Sequence, residues 1–145
     1  GTVSGAIEGV INGIPSVALS IHSINPQHFG PSKYMAQQAL ELATGRLDEG
    51  TVLNINLPDA PIEEVKGVRV TRLGAREYDE RFEVEYKGNG VARYVYKGEP
   101  VIYTGLPEDI DVIAMQDGYI SITPLHYDLT SHKRVEQVKS WGFKL

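Results

Sequence analysis

The first 57 residues alternate helix, strand, helix, strand, and that order leaves few folds open. Val3, Ile7, Val10 and Ile14 recur at helical spacing, with Ala6 and Ile11 beside them, which predicts a helix over residues 2–13 ended by Asn12-Gly13. Ser16 to Ser20, with Val17, Ala18 and Leu19 in a row, reads as a short strand buried on both faces. Pro26, Gly30 and Pro31 mark residues 22–31 as a loop. Ser32 can cap a helix over 33–45, with Met35, Ala39, Leu42 and Ala43 on one face and Gly45 as its stop. Thr51 to Leu57 is a strand ended by Pro58-Asp59. Elements in this sequence pack as an α/β layer structure with parallel strands. Gly5, Gly9 and Gly13 fall four apart in the first helix. Each costs about 1 kcal/mol relative to Ala, so the stripe predicts a close approach to another backbone.

The character changes after residue 67. Val68 to Leu73 reads as a strand, and Tyr78 to Tyr103 is β-rich with alternating polarity. Lys87-Gly88-Asn89-Gly90 is a hairpin turn, and Tyr86, Tyr94 and Tyr96 give the hairpin more aromatic surface than an isolated two-stranded arm keeps in water. Such an arm packs on a partner subunit or folds back over a site. Residues 108–117 read as a short helix with an acidic start, and Tyr119 to Leu125 as a final strand. Residues 130–141 read as a helix capped by Asp128 or Thr130, with Val135, Val138 and Trp141 as its apolar stripe.

Composition removes several functions. The chain has no cysteine, so disulfides, thiolate metal sites and thiol catalysis are excluded, and a reducing cytosol is compatible. A net charge of −5 over 145 residues argues against wrapping long nucleic acid, but a mononucleotide needs only a few local donors. No run approaches the roughly 20 apolar residues of a membrane span.

The opening helix offers the strongest chemistry. A helix that begins with Gly1 and the hydroxyl residue Thr2 is half of a phosphate site, because its first N–H groups and its dipole face outward. Thr2 as a plain helix cap is the alternative. There is no acidic cluster nearby to hold a metal, so the remaining chemistry is expected upstream of residue 1. Glu8 reads as a solvated surface acid, and Asn54 and Asn56 share one strand face, where they tie down loops or touch substrate. His22 and His28 lie beyond a strand end, where α/β sheets gather ligands, although their spacing is a weak metal signal. His126 and His132 bracket Asp128, and Asp128 with His132 makes a local pair at a helix start. Arg69, Arg72, Arg76, Arg81 and Arg93 alternate with Glu77, Asp79, Glu80, Glu83 and Glu85, a pattern for cross-strand pairing and an inter-subunit surface.

Four motifs, in order, resemble one family. Gly1-Thr2-Val3-Ser4-Gly5-Ala6-Ile7-Glu8-Gly9 is similar to a signature of the SurE survival protein nucleotidases. Leu53-Asn54-Ile55-Asn56-Leu57-Pro58, Val70-Thr71-Arg72-Leu73-Gly74, and Gly118 to Leu125 followed by Asp128-Leu129-Thr130 resemble its later segments. The resemblance implies the C-terminal part of a Rossmann-like three-layer α/β sandwich with a protruding β-hairpin arm and a C-terminal helix. Residues 1–75 and 105–127 would then belong to the core, 76–104 to an oligomerisation arm, and 128–145 to a helix exchanged between subunits. The implied activity is metal-dependent hydrolysis of nucleoside 5′- or 3′-monophosphates by a cytoplasmic homo-oligomer, dimer or tetramer, using magnesium or manganese. Gly1 and Thr2 would bind the phosphate. The family's metal ligands, an Asp-Asp pair, a Ser and an Asn, would lie upstream of residue 1, so this chain would hold neither metal nor catalytic residues and would be inactive alone. A non-catalytic oligomerisation or binding domain is the alternative reading.

Overall fold

A computed structural model describes residues 1–75, 81–98 and 104–144. Its element order is α1 (Thr2–Ile11), β1 (Ser16–Ile21), α2 (Gly30–Ala43), β2 (Thr51–Leu57), β3 (Val68–Val70), β4 (Phe82–Lys87), β5 (Val91–Tyr96), α3 (Asp111–Gln116), β6 (Ile120–His126) and α4 (His132–Lys139). Four strands form one sheet in the order β1-β2-β6-β3, and β4 and β5 form a separate two-stranded sheet. β1 runs parallel to β2, from Ser16 opposite Val52 to Ile21 opposite Leu57. β6 runs antiparallel to β2, and β3 parallel to β6. The expected parallel pairing therefore holds for β1 with β2 and β3 with β6, while the pair β6–β3 runs antiparallel to the pair β1–β2.

Strand alternation divides the sheet into two faces. Met35 and Ala39 of α2 pack against Ile55, Leu57 and Ile120 on one face. Ala6 and Val10 of α1 pack against Ala18 and Val52 on the other, with Leu125 alongside. The result is helix, sheet, helix in three layers.

Several element ends differ from the sequence reading. α1 stops at Ile11, two residues early, because Gly13 turns left-handed at φ 75°. The Gly13 N–H then bonds to Val10 O at 3.0 Å and the Ile14 N–H to Gly9 O at 2.9 Å, a Schellman closure. The glycine stripe has no single cause. A Cβ on Gly9 would run into Ser16 Oγ, whereas one on Gly5 or Gly13 would meet nothing within 4 Å. β1 is not buried on both faces: Ala18 alone is buried, and the rest of this edge strand is half-buried. α2 starts at Gly30 rather than 33, since Pro31 suits a first turn, and Ser32 Oγ donates back to Phe29 O instead of capping. Leu42 is turned outward at 55% exposure.

β3 ends at Val70 rather than at residue 73 because Arg72 leaves β6 and bridges to Ile110. α3 begins at Asp111, not 108; Glu108 and Asp109 precede it and pair with arginines. Neither Asp128 nor Thr130 caps α4, which starts after Ser131. Asp128 Oδ1 instead accepts the Thr130 N–H, and Oδ2 contacts His132 Nε2 at 2.8 Å.

The hairpin turn falls where Asn89 and Gly90 both adopt positive φ, as that dipeptide allows. Its register puts Phe82 opposite Tyr96, Val84 opposite Tyr94 and Tyr86 opposite Ala92 on one face. That aromatic face stays open, with Tyr86 at 86% and Tyr94 at 67% exposure. Glu83 and Glu85 share the other face with Arg93, whose guanidinium lies 3.7 Å from Glu85. Arg69 and Arg72 do not join this arm pattern. Arg69 stacks over Tyr119 and holds Asp117 at 2.8 Å, and Arg72 binds Asp109. Arg69 ties β3 to the turn before β6, and Arg72 ties the residues after β3 to the segment before α3. Arg76, Glu77, Tyr78, Asp79, Glu80 and Tyr103 lie outside the described residues.

Candidate anion site at the carboxyl edge of the sheet

The short connection of residues 12–15 makes α1 run back along β1, so the amino end of α1 lies toward the carboxyl end of that strand. The same edge receives the loop after β1 and the segment after β2. The carboxyl edge of a parallel pair, roofed by such loops, is where open α/β sheets take ligands.

Gly1 is the N-cap residue of α1 and makes no side-chain cap. The first intrahelical bond runs from Gly5 N–H to Gly1 O at 3.3 Å. The N–H groups of Thr2, Val3 and Ser4 precede it and have no helical acceptor. Gly1, Thr2, Ser4 and Gly5 are exposed, and Val3 is half-buried against the sheet. The dipole of such a helix end favours an anion. Thr2 carries its hydroxyl at this end.

Two further groups stand on the edge. The His22 N–H bonds to Leu57 O at 2.8 Å, which ties the exit of β1 to the end of β2. Asp59, just past β2, reaches the loop before α2. Its carboxylate accepts the N–H of Gln27 at 3.0 and 3.1 Å and that of His28 at 2.9 Å, and it meets His28 Nδ1 at 3.0 Å. Burial pushes the Asp59 carboxyl up, but the bonds from Gln27, His28 and Ser23 outweigh it and hold it below the ordinary carboxylate range. The sequence placed His28 beyond a strand end; its pairing with Asp59, 31 residues away, had no local signal.

Among the described residues no three Asp, Glu or His side chains cluster as metal ligands. Asp59, the carboxylate at this edge, already spends its oxygens on N–H donors. Glu8 lies on the exposed side of α1 and its Oε1 accepts from Asn12 Nδ2 at 3.2 Å. Asn54 is buried and its Oδ1 has no partner among the described residues; Asn56 is half-buried.

Helix, sheet and helix in this order, with the amino end of α1 on the carboxyl edge of β1, define a Rossmann-like α/β protein. Residues 1–80, more than half of the chain, match the family described as Survival protein SurE, and the chain belongs to that family. It is 38% identical over 144 residues to the 5′-nucleotidase SurE of Carboxydothermus hydrogenoformans, covering 97% of this chain and 54% of that protein. It is 41% identical to the protein of the same name from Pelotomaculum thermopropionicum, covering 96% of this chain and 52% of the other. The crystal structure of the SurE protein from Aquifex aeolicus superposes with a TM-score of 0.81 at 37% identity, covering 97% of this chain and 56% of that one. The chain spans about half the length of the curated relatives it matches.

Proposed function

We propose that this chain is the phosphate-binding and assembly portion of a nucleoside monophosphate phosphohydrolase. The N–H groups of the first turn of α1, which have no helical acceptor, carry this reading, supported by similarity to proteins named 5′-nucleotidase. Phosphoryl oxygens take hydrogen bonds from the N–H groups of Thr2, Val3 and Ser4 and from the Thr2 hydroxyl, with Gly1 leaving room for the anion to approach. Donors fixed by the helix stabilise negative charge as it spreads over the phosphoryl oxygens. The part of Gly1 and Thr2 in the reaction is anion binding, beside the magnesium or manganese ion that the family resemblance implies.

Assembly uses two apolar faces, the aromatic face of β4–β5 and the outer face of α4. Arg134, Val135, Val138 and Phe143 line a cavity of about 570 Å³ on α4, and no residue of that helix is buried. Among the described residues no helix is long and apolar enough to cross a membrane, and the absence of cysteine fits a cytoplasmic protein.

Equilibrium dialysis of 5′-AMP against the purified chain tests the reading. Inorganic phosphate is expected to displace AMP, and Thr2→Val to weaken both ligands about 10- to 100-fold, the loss of one hydrogen bond to a charged group. AMP binding that phosphate does not displace contradicts the proposal. With added Mn²⁺ the chain alone is expected to release no phosphate from AMP, and steady turnover would contradict the division of labour proposed.

A further inference from the structure

We infer that Asn89, at the tip of the β4–β5 hairpin, is a site of spontaneous covalent modification, where the side-chain amide is lost as ammonia and aspartate or isoaspartate replaces it. The chemistry needs an Asn or Asp followed by Gly. The main-chain nitrogen of the second residue attacks the side-chain carbonyl carbon of the first, and a glycine leaves that approach uncrowded. The chain holds three such pairs: Asn12-Gly13, Asn89-Gly90 and Asp117-Gly118.

Two of the three are pinned. Asn12 closes α1, where its N–H bonds to Glu8 O at 3.2 Å and Gly9 O at 3.1 Å, its Nδ2 to Glu8 O at 2.8 Å, and the Gly13 N–H to Val10 O at 3.0 Å. Attack there requires the helix end to open. Asp117 is held by Arg69 Nη1 at 2.8 Å, and the Gly118 N–H bonds to Met115 O at 3.1 Å. Asn89 differs in every respect. It is exposed, and it and Gly90 both have φ 73°. Among the described residues neither its amide nor the Gly90 N–H makes a hydrogen bond, and a Cβ built on Gly90 would meet nothing within 4 Å. The reacting nitrogen and carbon thus sit in water with no contact to break before the tip turns about the Asn89 Cα–C bond.

The step balances with water and hydroxide alone. Gly90 N gives its proton to hydroxide and bonds to Asn89 Cγ. The Cγ–Nδ2 bond breaks, and Nδ2 takes a proton from water and leaves as ammonia. Water then opens the cyclic imide. Cleavage at Cγ leaves aspartate in a normal main chain. Cleavage at the main-chain carbonyl carbon leaves isoaspartate, which adds a methylene to the connection between β4 and β5. Either product puts a new carboxylate at the tip of the arm.

The test is to hold the purified, folded chain at mildly alkaline pH, sample it over weeks and weigh its tryptic peptides. Cleavage after Lys87 and Arg93 isolates residues 88–93 with Asn89, and cleavage after Lys33 isolates residues 1–33 with Asn12. Peptide 88–93 is expected to gain about 1 Da. Its rate in the folded chain is expected to stay within about 10-fold of that of the same peptide free in solution, with Asn12 at least about 10-fold slower than Asn89. In urea the two sites are expected to convert at similar rates. Asn12 keeping pace with Asn89 in the folded chain, or Asn89 falling further behind the free peptide than that, overturns the inference.

Discussion

Thr71 Oγ1 lies 2.9 Å from Ser121 Oγ and 2.7 Å from Thr123 Oγ1, all three buried on the sheet face that also carries Val52. Three hydroxyls joined by two hydrogen bonds leave one O–H to place, and Asn54, register partner of Thr123, holds an unpaired acceptor beside it. The two residues invite opposite substitutions. Thr71→Val strands two buried hydroxyls and is expected to cost about 1–3 kcal/mol in urea unfolding, whereas Asn54→Leu removes a buried carbonyl oxygen that has no partner and is expected to be neutral or stabilising. A large loss for Asn54→Leu would show that its amide is paired. The glycines make a second contrast. Gly5→Ala is expected to stabilise by about 0.5–1 kcal/mol because its Cβ meets open space, and Gly9→Ala to destabilise by about 1–3 kcal/mol because Ser16 blocks it. Equal effects in thermal melts would contradict this. The spacing of these glycines was legible in the sequence; which of them touches anything was not, because that depends on where Ser16 lands after the turn.

Among the elements, β2 and the hairpin turn were readable because alternation and an Asn-Gly pair act locally. The start of α2 and the end of β3 were not. Pro31 is permitted both in a loop and in a first helical turn, and Arg72 leaves β6 to bond with Asp109, 37 residues on. The turn before α4 shows the same limit, since Asp128 serves Thr130 and His132 rather than the helix cap. Hydrogen bonds from the Thr130 hydroxyl and N–H and from His132 hold the Asp128 carboxyl far below its ordinary value of 3.8. A depressed carboxyl stabilises the fold above its unfolded pKa and loses that contribution as pH falls through the folded value. The turn is thus expected to persist below pH 3.8, with the Thr130 amide shift titrating at a lower midpoint, and a midpoint at or above 3.8 would contradict the contact.

At the scale of the molecule, the exposed surfaces are the clearest unfinished business. Trp141 and Phe143 are 62% and 81% exposed beside the α4 stripe, and the arm keeps its aromatic face in water. Faces of this kind mark contacts with other chains. The chain is expected to self-associate in light scattering after size exclusion, and Val138→Glu with Tyr94→Glu to shift it toward monomer; a monomeric unsubstituted chain would contradict that. The architecture and the helix amino end were legible from order and motif. The Asp59–His28 pair was not, because its members are joined by sheet topology rather than by spacing.

The phosphate-binding role of α1 is tested most directly by following backbone amides in ¹⁵N NMR as inorganic phosphate is added. The account expects the resonances of Thr2, Val3 and Ser4 to move together and saturably, with those of α4 unmoved. Uniform small shifts across the chain, or no movement in the first turn of α1, would contradict it.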